Sequence, residues 1–432
     1  MVNTGIPDID LLPEWFWVFT VTLFGLAIGS FLNVVIYRVP LMYKDEWEEM
    51  DESSDSETSN EGKEAKEKQI IKEQIAEEKI EGIQKEAIPI ENDKKEIVEA
   101  KEQSTTDDEG KISLVYPPRS FCPNCKHQIT ALENIPILSY LVLGGKCRKC
   151  KVKISIIYPL VEALTTIAFL LAFYHQASKP VFSIADYVFN VAFISVNIAL
   201  IFIDYQKMIL PDVLTLWGAL LALVIRGFVV NEPQLQNVFL ATLFGGFIFL
   251  MVVVLIGLLF VDTKLYQLLV IAGALIAFCL ALTWLMGDPD RFFDIQDSFI
   301  IFWQEKLVPY PALTSIINGI LGAIIGFGIL FSLSEIYRLL RGVDGMGGGD
   351  FKMMLFVGMY LGWQLCLTTL LLAPALAMLP IIVIFILKGN EAWQSKLPFG
   401  VFLGLGAIVS LLFGKQIIDG YFWIAQKYLA PY

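Results

Sequence analysis

Val196-Asn197-Ile198-Ala199-Leu200-Ile201-Phe202-Ile203-Asp204 is an apolar run that stops on a carboxylate, and Ile209-Leu210-Pro211-Asp212 follows with another. A run of this kind suits a bilayer, and a charge at its edge is costly enough to need a reason. Similar runs recur along the chain. Crossing a bilayer takes about 20 residues, and roughly ten segments approach that length. They lie near 14–37, 156–174, 183–204, 213–230, 236–261, 265–286, 312–337, 351–372, 373–388 and 398–415. Of the 432 residues, 56% are hydrophobic and 18% charged, too little polar surface for a water-soluble chain of this length. The first apolar run has no basic region before it and no small-residue cleavage site after it, so it reads as a retained helix.

The net charge of −12 is concentrated. Residues 41–112 carry 24 acidic against 11 basic side chains, which leaves the remainder close to neutral. No basic footprint exists for nucleic acid, and none is expected as a partner. Two histidines, His127 and His175, are too few to suggest a histidine-based zinc protease or a serine triad. Composition divides the chain into a first transmembrane helix (1–40), an acidic insert (41–115), a cysteine-bearing segment (116–155) and a polytopic region (156–432) with an inserted segment at 232–311. The acidic insert is too poor in apolar residues to fold on its own and reads as disorder with helical patches such as 63–87. Residues 287–311 read as an ordered extramembrane loop.

Lysine and arginine near the helix ends orient the chain. Lys126, Lys146, Arg148, Lys149, Lys151 and Lys153 place the loop after the first helix in the cytoplasm and the N-terminus outside. Counting onward, Lys207, Arg338, Arg341, Lys352, Lys388 and Lys396 also fall on the cytoplasmic side.

Cys122-Pro123-Asn124-Cys125 and Cys147-Arg148-Lys149-Cys150 form two Cys-x-x-Cys pairs. Two such turns can close a tetrahedral four-cysteine zinc site, and the basic neighbours offset the thiolate charge. A reducing cytoplasm favours metal over disulfides; the alternative is two reduced or redox-active thiol pairs. Cys279 and Cys366, alone in apolar runs, read as small core residues. The fold class expected is therefore an all-α polytopic membrane protein of roughly ten transmembrane helices with a cytoplasmic four-cysteine zinc-binding loop domain.

The acid residues carry the chemistry. Asp204, Asp212 and Asp350 all fall at the cytoplasmic boundary in this topology, the last in Gly345-Met346-Gly347-Gly348-Gly349-Asp350-Phe351-Lys352. Two carboxylates brought together share a proton, so one can act as base on a water and the other as acid on a scissile amide. Gly347 and Gly349 would let an extended peptide approach. Plainer readings stand beside these. Asp212 after Pro211 suits a helix N-cap or first turn, Asp204 can mark a helix end, and Asp350 can cap the next helix. From the aspartates alone, an ion pathway is a rival. Glu162, inside a spanning segment, has no role derivable from sequence.

These residues resemble a known family, the bacterial type IV prepilin peptidases, Gly-x-Gly-Asp intramembrane aspartyl proteases. The resemblance rests on Gly29-Ser30-Phe31-Leu32-Asn33 through Pro40, Pro118-Arg119-Ser120-Phe121-Cys122-Pro123-Asn124-Cys125, Glu133-Asn134-Ile135-Pro136-Ile137-Leu138-Ser139-Tyr140, Tyr158-Pro159-Leu160-Val161-Glu162, Ile203-Asp204 through Leu210-Pro211-Asp212, and Gly347-Gly348-Gly349-Asp350. It covers roughly 14–40, 116–230 and 312–415. It implies a catalytic pair at Asp204 and Asp350, with Asp212 supporting. It further implies an inner-membrane enzyme that cleaves the basic leader of type IV prepilins and type II secretion pseudopilins after a glycine. Methylation of the new N-terminus with S-adenosylmethionine is implied as a second activity, and the cysteine loop is linked to it. The inserts at 41–115 and 232–311 depart from the family pattern. Rival readings are a Gly-x-Gly-Asp peptidase on other membrane peptides without methylation, and a membrane transporter with a zinc-ribbon domain.

Overall fold

The computed structural model describes residues 12–43, 120–122, 124–130, 132–180, 182–227, 311–342, 345–388 and 397–429. They form nine α-helices: α1 Glu14–Met42, α2 Leu138–Val142, α3 Ile157–Ala177, α4 Ile184–Lys207, α5 Asp212–Arg226, α6 Pro311–Arg341, α7 Gly348–Leu361, α8 Trp363–Lys388 and α9 Phe399–Leu429. Among the described residues, β-pairing is limited to two isolated bridges in the cysteine segment. Among the described residues, six helices are long and apolar enough to cross a membrane: α1, α3, α4, α6, α8 and α9. The acidic insert from residue 44 on, with its expected helical patches, the spans at 236–261 and 265–286, and the expected loop at 287–311 up to residue 310 lie outside the described residues; Pro311 begins α6.

The described helices correct several expected boundaries. The runs at 351–372 and 373–388 do not divide near residue 372. The break falls at Gly362, whose φ of 81° lies in the left-handed region that glycine tolerates, and its N–H closes the end of α7 on the Gly358 carbonyl at 2.9 Å. Helix α8 then continues through Pro374 and Pro380. The run expected at 213–230 appears as α5, of 15 residues. With α7, of 14 residues, it is about 21–22 Å long, short of a bilayer core of about 30 Å. Six long helices and these two short ones account for eight of the roughly ten expected segments; the other two, 236–261 and 265–286, lie outside the described residues.

Where a short helix ends inside a bundle, its last carbonyls need donors that water cannot supply. For α7, Arg226, the last residue of α5, provides them. Its Nε donates to the Met359 carbonyl at 2.9 Å, Nη2 to Tyr360 at 2.6 Å and Nη1 to Ser315 at 3.0 Å. One buried guanidinium thus ties the ends of α5 and α7 to the start of α6. The Tyr360 hydroxyl also meets Asn190 Oδ1 at 3.0 Å. Asn190 stands six residues into α4, so the end of α7 is tied to the first turns of that helix as well.

Close helix contacts use missing side chains. A Cβ on Gly29 of α1 would lie 2.7 Å from the Glu162 backbone of α3, and one on Gly25 would lie 2.8 Å from Thr166. On α6, Gly319, Gly322 and Gly326 face α7, where the Gly322 and Gly358 backbones touch. Small residues at this spacing let apolar helices meet backbone to backbone. The core beneath the site comprises Leu200, Met353, Met354, Val357, Leu403 and Ala407.

Replacing Arg226 by Met should cost roughly 1–3 kcal/mol for each carbonyl that loses its donor. Thermal unfolding in detergent should show a large loss of stability. Arg226→Lys should restore only part, because an ammonium cannot fork to three acceptors in a plane. An unchanged melting curve for Arg226→Met would contradict this role.

Candidate active site

Helix α4 begins at Ser183, whose hydroxyl accepts the Asp186 N–H at 3.2 Å, and ends at Met208, with φ 55°. Asp204 therefore lies in its last turn. A short turn through Leu210 and Pro211 leads into α5, which starts at Asp212 without a side-chain cap bond. Asp350 is the third residue of α7, after Gly347 in extended conformation. The start of α9 closes the group. One end of the bundle thus gathers the end of α4 and the beginnings of α5, α7 and α9.

Leu210 is the pivot. A Cβ on Gly349 would meet the Leu210 Cβ at 2.9 Å, and one on Gly400 would meet the Asp204 Oδ2 at 2.8 Å and the Leu210 Cδ1 at 3.0 Å. Asp204 and Asp350 lie within electrostatic reach of one another across this packing. Both are buried, at 5% and 9% exposed. The Val401 backbone N–H donates to Asp204 Oδ2 at 3.1 Å. The positive end of α9 is thereby turned on one carboxylate.

The glycines divide their work. Gly348 has nothing within 4 Å of a built Cβ, and Gly347 meets only Asp350 Oδ2, at 3.9 Å. These two leave open space beside the carboxylate, whereas Gly349 is needed for packing on Leu210. Asp212 is placed apart from the buried pair. It is exposed, and Lys352 Nζ donates to its two oxygens at 2.8 and 2.9 Å. An exposed ion pair of this kind contributes at most about 1 kcal/mol, but it links the start of α5 to α7.

Sequence reading missed Gly400 and Val401, because a backbone N–H and an absent Cβ carry no chemical signature. Pro398 ahead of a helix start, with Gly400 two residues on, was the available signal. Lys352 was noted only as a topogenic charge, although its place two residues after Asp350 puts it beside the site.

The cysteine segment forms one compact turn twice. Cys122 N–H donates to the His127 carbonyl and Lys126 N–H to Cys122; Cys147 N–H donates to Val152 and Lys151 N–H to Cys147. Lys126 and Lys151 take matching φ values of 55° and 59°. The result aims all four sulfurs at one point, within 4.8 Å of one another. Cys122 and Cys150 Sγ are 3.8 Å apart, and Cys125 and Cys147 Sγ 4.0 Å. A tetrahedron with metal–sulfur bonds of about 2.3 Å needs edges of about 3.8 Å, so the cluster is compatible with zinc. The Val152 backbone N–H draws the Cys150 thiol down to about 6. Glu133 braces the two turns: its Oε2 accepts from the Thr130 N–H at 2.9 Å and faces His127 at 3.4 Å, while Oε1 faces Arg148 at 3.5 Å. The Thr130 N–H and hydroxyl, then His127, hold its carboxyl at about 2. With a lowered pKa, its stabilising effect is complete above the usual carboxylate range and is lost as pH falls through about 2. Cys366 is a buried free thiol in the helix core, as its apolar context suggested.

Two family models match the chain. The Bacterial Peptidase A24 N-terminal domain covers residues 23–176 and the Type IV leader peptidase family covers 298–383. A prepilin leader peptidase/N-methyltransferase of Aeromonas hydrophila is 30% identical over 94% of both chains. That of Legionella pneumophila is 29% identical over 95% of this chain and 96% of its own. That of Pseudomonas aeruginosa is 26% identical over 93% and 92%. No solved structure matches. The fold is a polytopic membrane helix bundle with two buried carboxylates at one end, and the matched families make it a membrane peptidase. The chain belongs to the prepilin leader peptidase/N-methyltransferase family.

Protein purified under reducing conditions should carry about one zinc per chain, and Cys147→Ser should lower that content and loosen the segment, since closing a four-cysteine site is coupled to its folding. Metal analysis finding no zinc in the wild type would refute the site.

Proposed function

We propose that the chain is an intramembrane aspartic endopeptidase that removes the basic leader from type IV prepilins and type II secretion pseudopilins. It cuts after a glycine at the cytoplasmic face of the inner membrane and methylates the new N-terminal residue from S-adenosylmethionine. The observation that carries the reading is the burial of Asp204 and Asp350 at one end of the bundle, where the starts of α7 and α9 both pack on Leu210. The orientation follows from the positive charge near the helix ends, with the N-terminus outside and the cysteine segment in the cytoplasm. Membrane lipid surrounds the remaining helix faces.

Asp204 and Asp350 are the catalytic pair. One carboxylate takes a proton from the attacking water, and the other gives a proton to the departing amide nitrogen. The Val401 N–H holds one Asp204 oxygen and so orients the other. Gly347 and Gly348 leave room for the extended stretch of the leader around its scissile bond. Asp212 and Lys352 position the start of α5 against α7 without touching the reacting atoms. Cys122, Cys125, Cys147 and Cys150 hold a structural zinc, which supplies cross-linking and no catalytic step. S-adenosylmethionine supplies the methyl group to the amine that cleavage exposes.

Purified protein in detergent, given a prepilin and S-adenosylmethionine, should yield a product lacking the leader and heavier by one methyl group in a mass spectrum. Asp204→Asn and Asp350→Asn should each abolish cleavage while the protein stays folded, whereas Asp212→Asn should retain part of it. Near wild-type cleavage by Asp204→Asn would sink the assignment.

Gly400→Val should also suppress cleavage, because the new side chain would occupy the space of the Asp204 carboxylate. A Gly400→Val protein with unaltered turnover would show that the start of α9 does not shape the site.

A further inference from the structure

Helix α2 turns its apolar side outward. Leu138, Leu141 and Val142 share one helix face at i, i+3 and i+4, and they are 53%, 67% and 76% exposed. No residue of α2 is buried. A helix on a water-facing module would pack such a stripe inward. Here only Tyr140 turns back, over Gly145.

The way α2 leaves the bundle is fixed. Ile137, just before it, has φ 58°, a left-handed conformation that β-branched residues avoid. Its N–H donates to Glu162 Oε2 at 2.7 Å. Glu162 is buried five residues into α3, so its carboxylate ties the base of α2 to the first turns of a membrane-spanning helix. That helix shows lipid an outward stripe of Leu160, Leu164, Ile167 and Leu171, continued at its start by exposed Ile156. Above α2 the cysteine turns carry exposed Lys146, Arg148, Lys149, Lys151 and Lys153, and no acidic residue occurs between 135 and 161.

The geometry points to α2 as an interfacial anchor. Leu138, Leu141 and Val142 enter the boundary between headgroups and acyl chains, and the lysine-rich cysteine turns rest on anionic headgroups of the same leaflet. Two observations select lipid as the occupant. The base of α2 is tied to the first turns of α3, whose exposed side is apolar, and the adjoining charge attracts anionic headgroups while repelling a partner with a basic leader. The anchor holds the cysteine segment against the membrane surface and does not depend on the catalytic assignment.

The test uses the full chain in nanodiscs of mixed phosphatidylglycerol and phosphatidylethanolamine. The photo-cross-linking residue p-benzoylphenylalanine is placed at position 142, at position 141 in a second protein, and at position 149 as control. After irradiation, mass spectrometry should find adducts on lipid acyl chains at 142 and 141 exceeding those at 149, which sits at headgroup level, by about tenfold, unchanged by excess prepilin. Equal acyl-chain yields at the three positions would overturn the proposal. Adducts at 141 or 142 to prepilin, or to another segment of this chain, would overturn it as well. Either of positions 141 and 142 suffices if the other variant fails to accumulate.

Discussion

A carboxylate placed among apolar helices has no water to solvate it, so the protein must supply its donors and its neighbours. Asp204 imposes that requirement most directly. Its oxygen is met by the Val401 N–H at the start of α9, and the close approach is possible because position 400 has no side chain. Leu210 then fills the space between Gly400 and Gly349, which brings the start of α7, and with it Asp350, to the same end. The four helix ends around the site are thus consequences of solvating and shielding one buried charge.

The opposite end of the same helices faces the complementary problem. Helices α5 and α7 are short, and the terminal carbonyls of α7 would be stranded in an apolar setting. Arg226 meets Met359 and Tyr360 with two donors and ties them to Ser315 of α6 with a third, and Asn190 meets the Tyr360 hydroxyl. Between the two ends, α6 and α7 touch through Gly322 and Gly358, leaving little freedom for sliding. Asp350 is therefore carried on a short helix held at its far end by a guanidinium and along its length by backbone contact. Such support suits a group that must keep its position while protons move.

Much of this was legible in the sequence, for physical reasons. Asp204 and Asp350 stand out because a charge at the edge of an apolar run is improbable without function. The cysteine site was readable because metal geometry fixes both residue type and spacing. The plain reading of Asp212 as a first-turn residue agrees with its place at the start of α5, though its partner Lys352 comes from another helix. The break at Gly362 was invisible because hydropathy runs unbroken from α7 into α8 and only a dihedral angle separates them. Arg226 was passed over because its acceptors are backbone carbonyls distant in the chain, and Gly400 because its contribution is an absence. Glu162, without a role in sequence, proves to hold the Ile137 N–H at the base of α2.

The central claim is that Asp204 and Asp350 act as one unit. Measuring prepilin cleavage under single-turnover conditions for Asp204→Asn, Asp350→Asn and the double variant tests it directly, because groups that act together are strongly non-additive. The account predicts that each single change brings the rate to the same floor and that the double change goes no lower. A double variant slower than either single one by the product of their separate losses would show two independent contributions and contradict it.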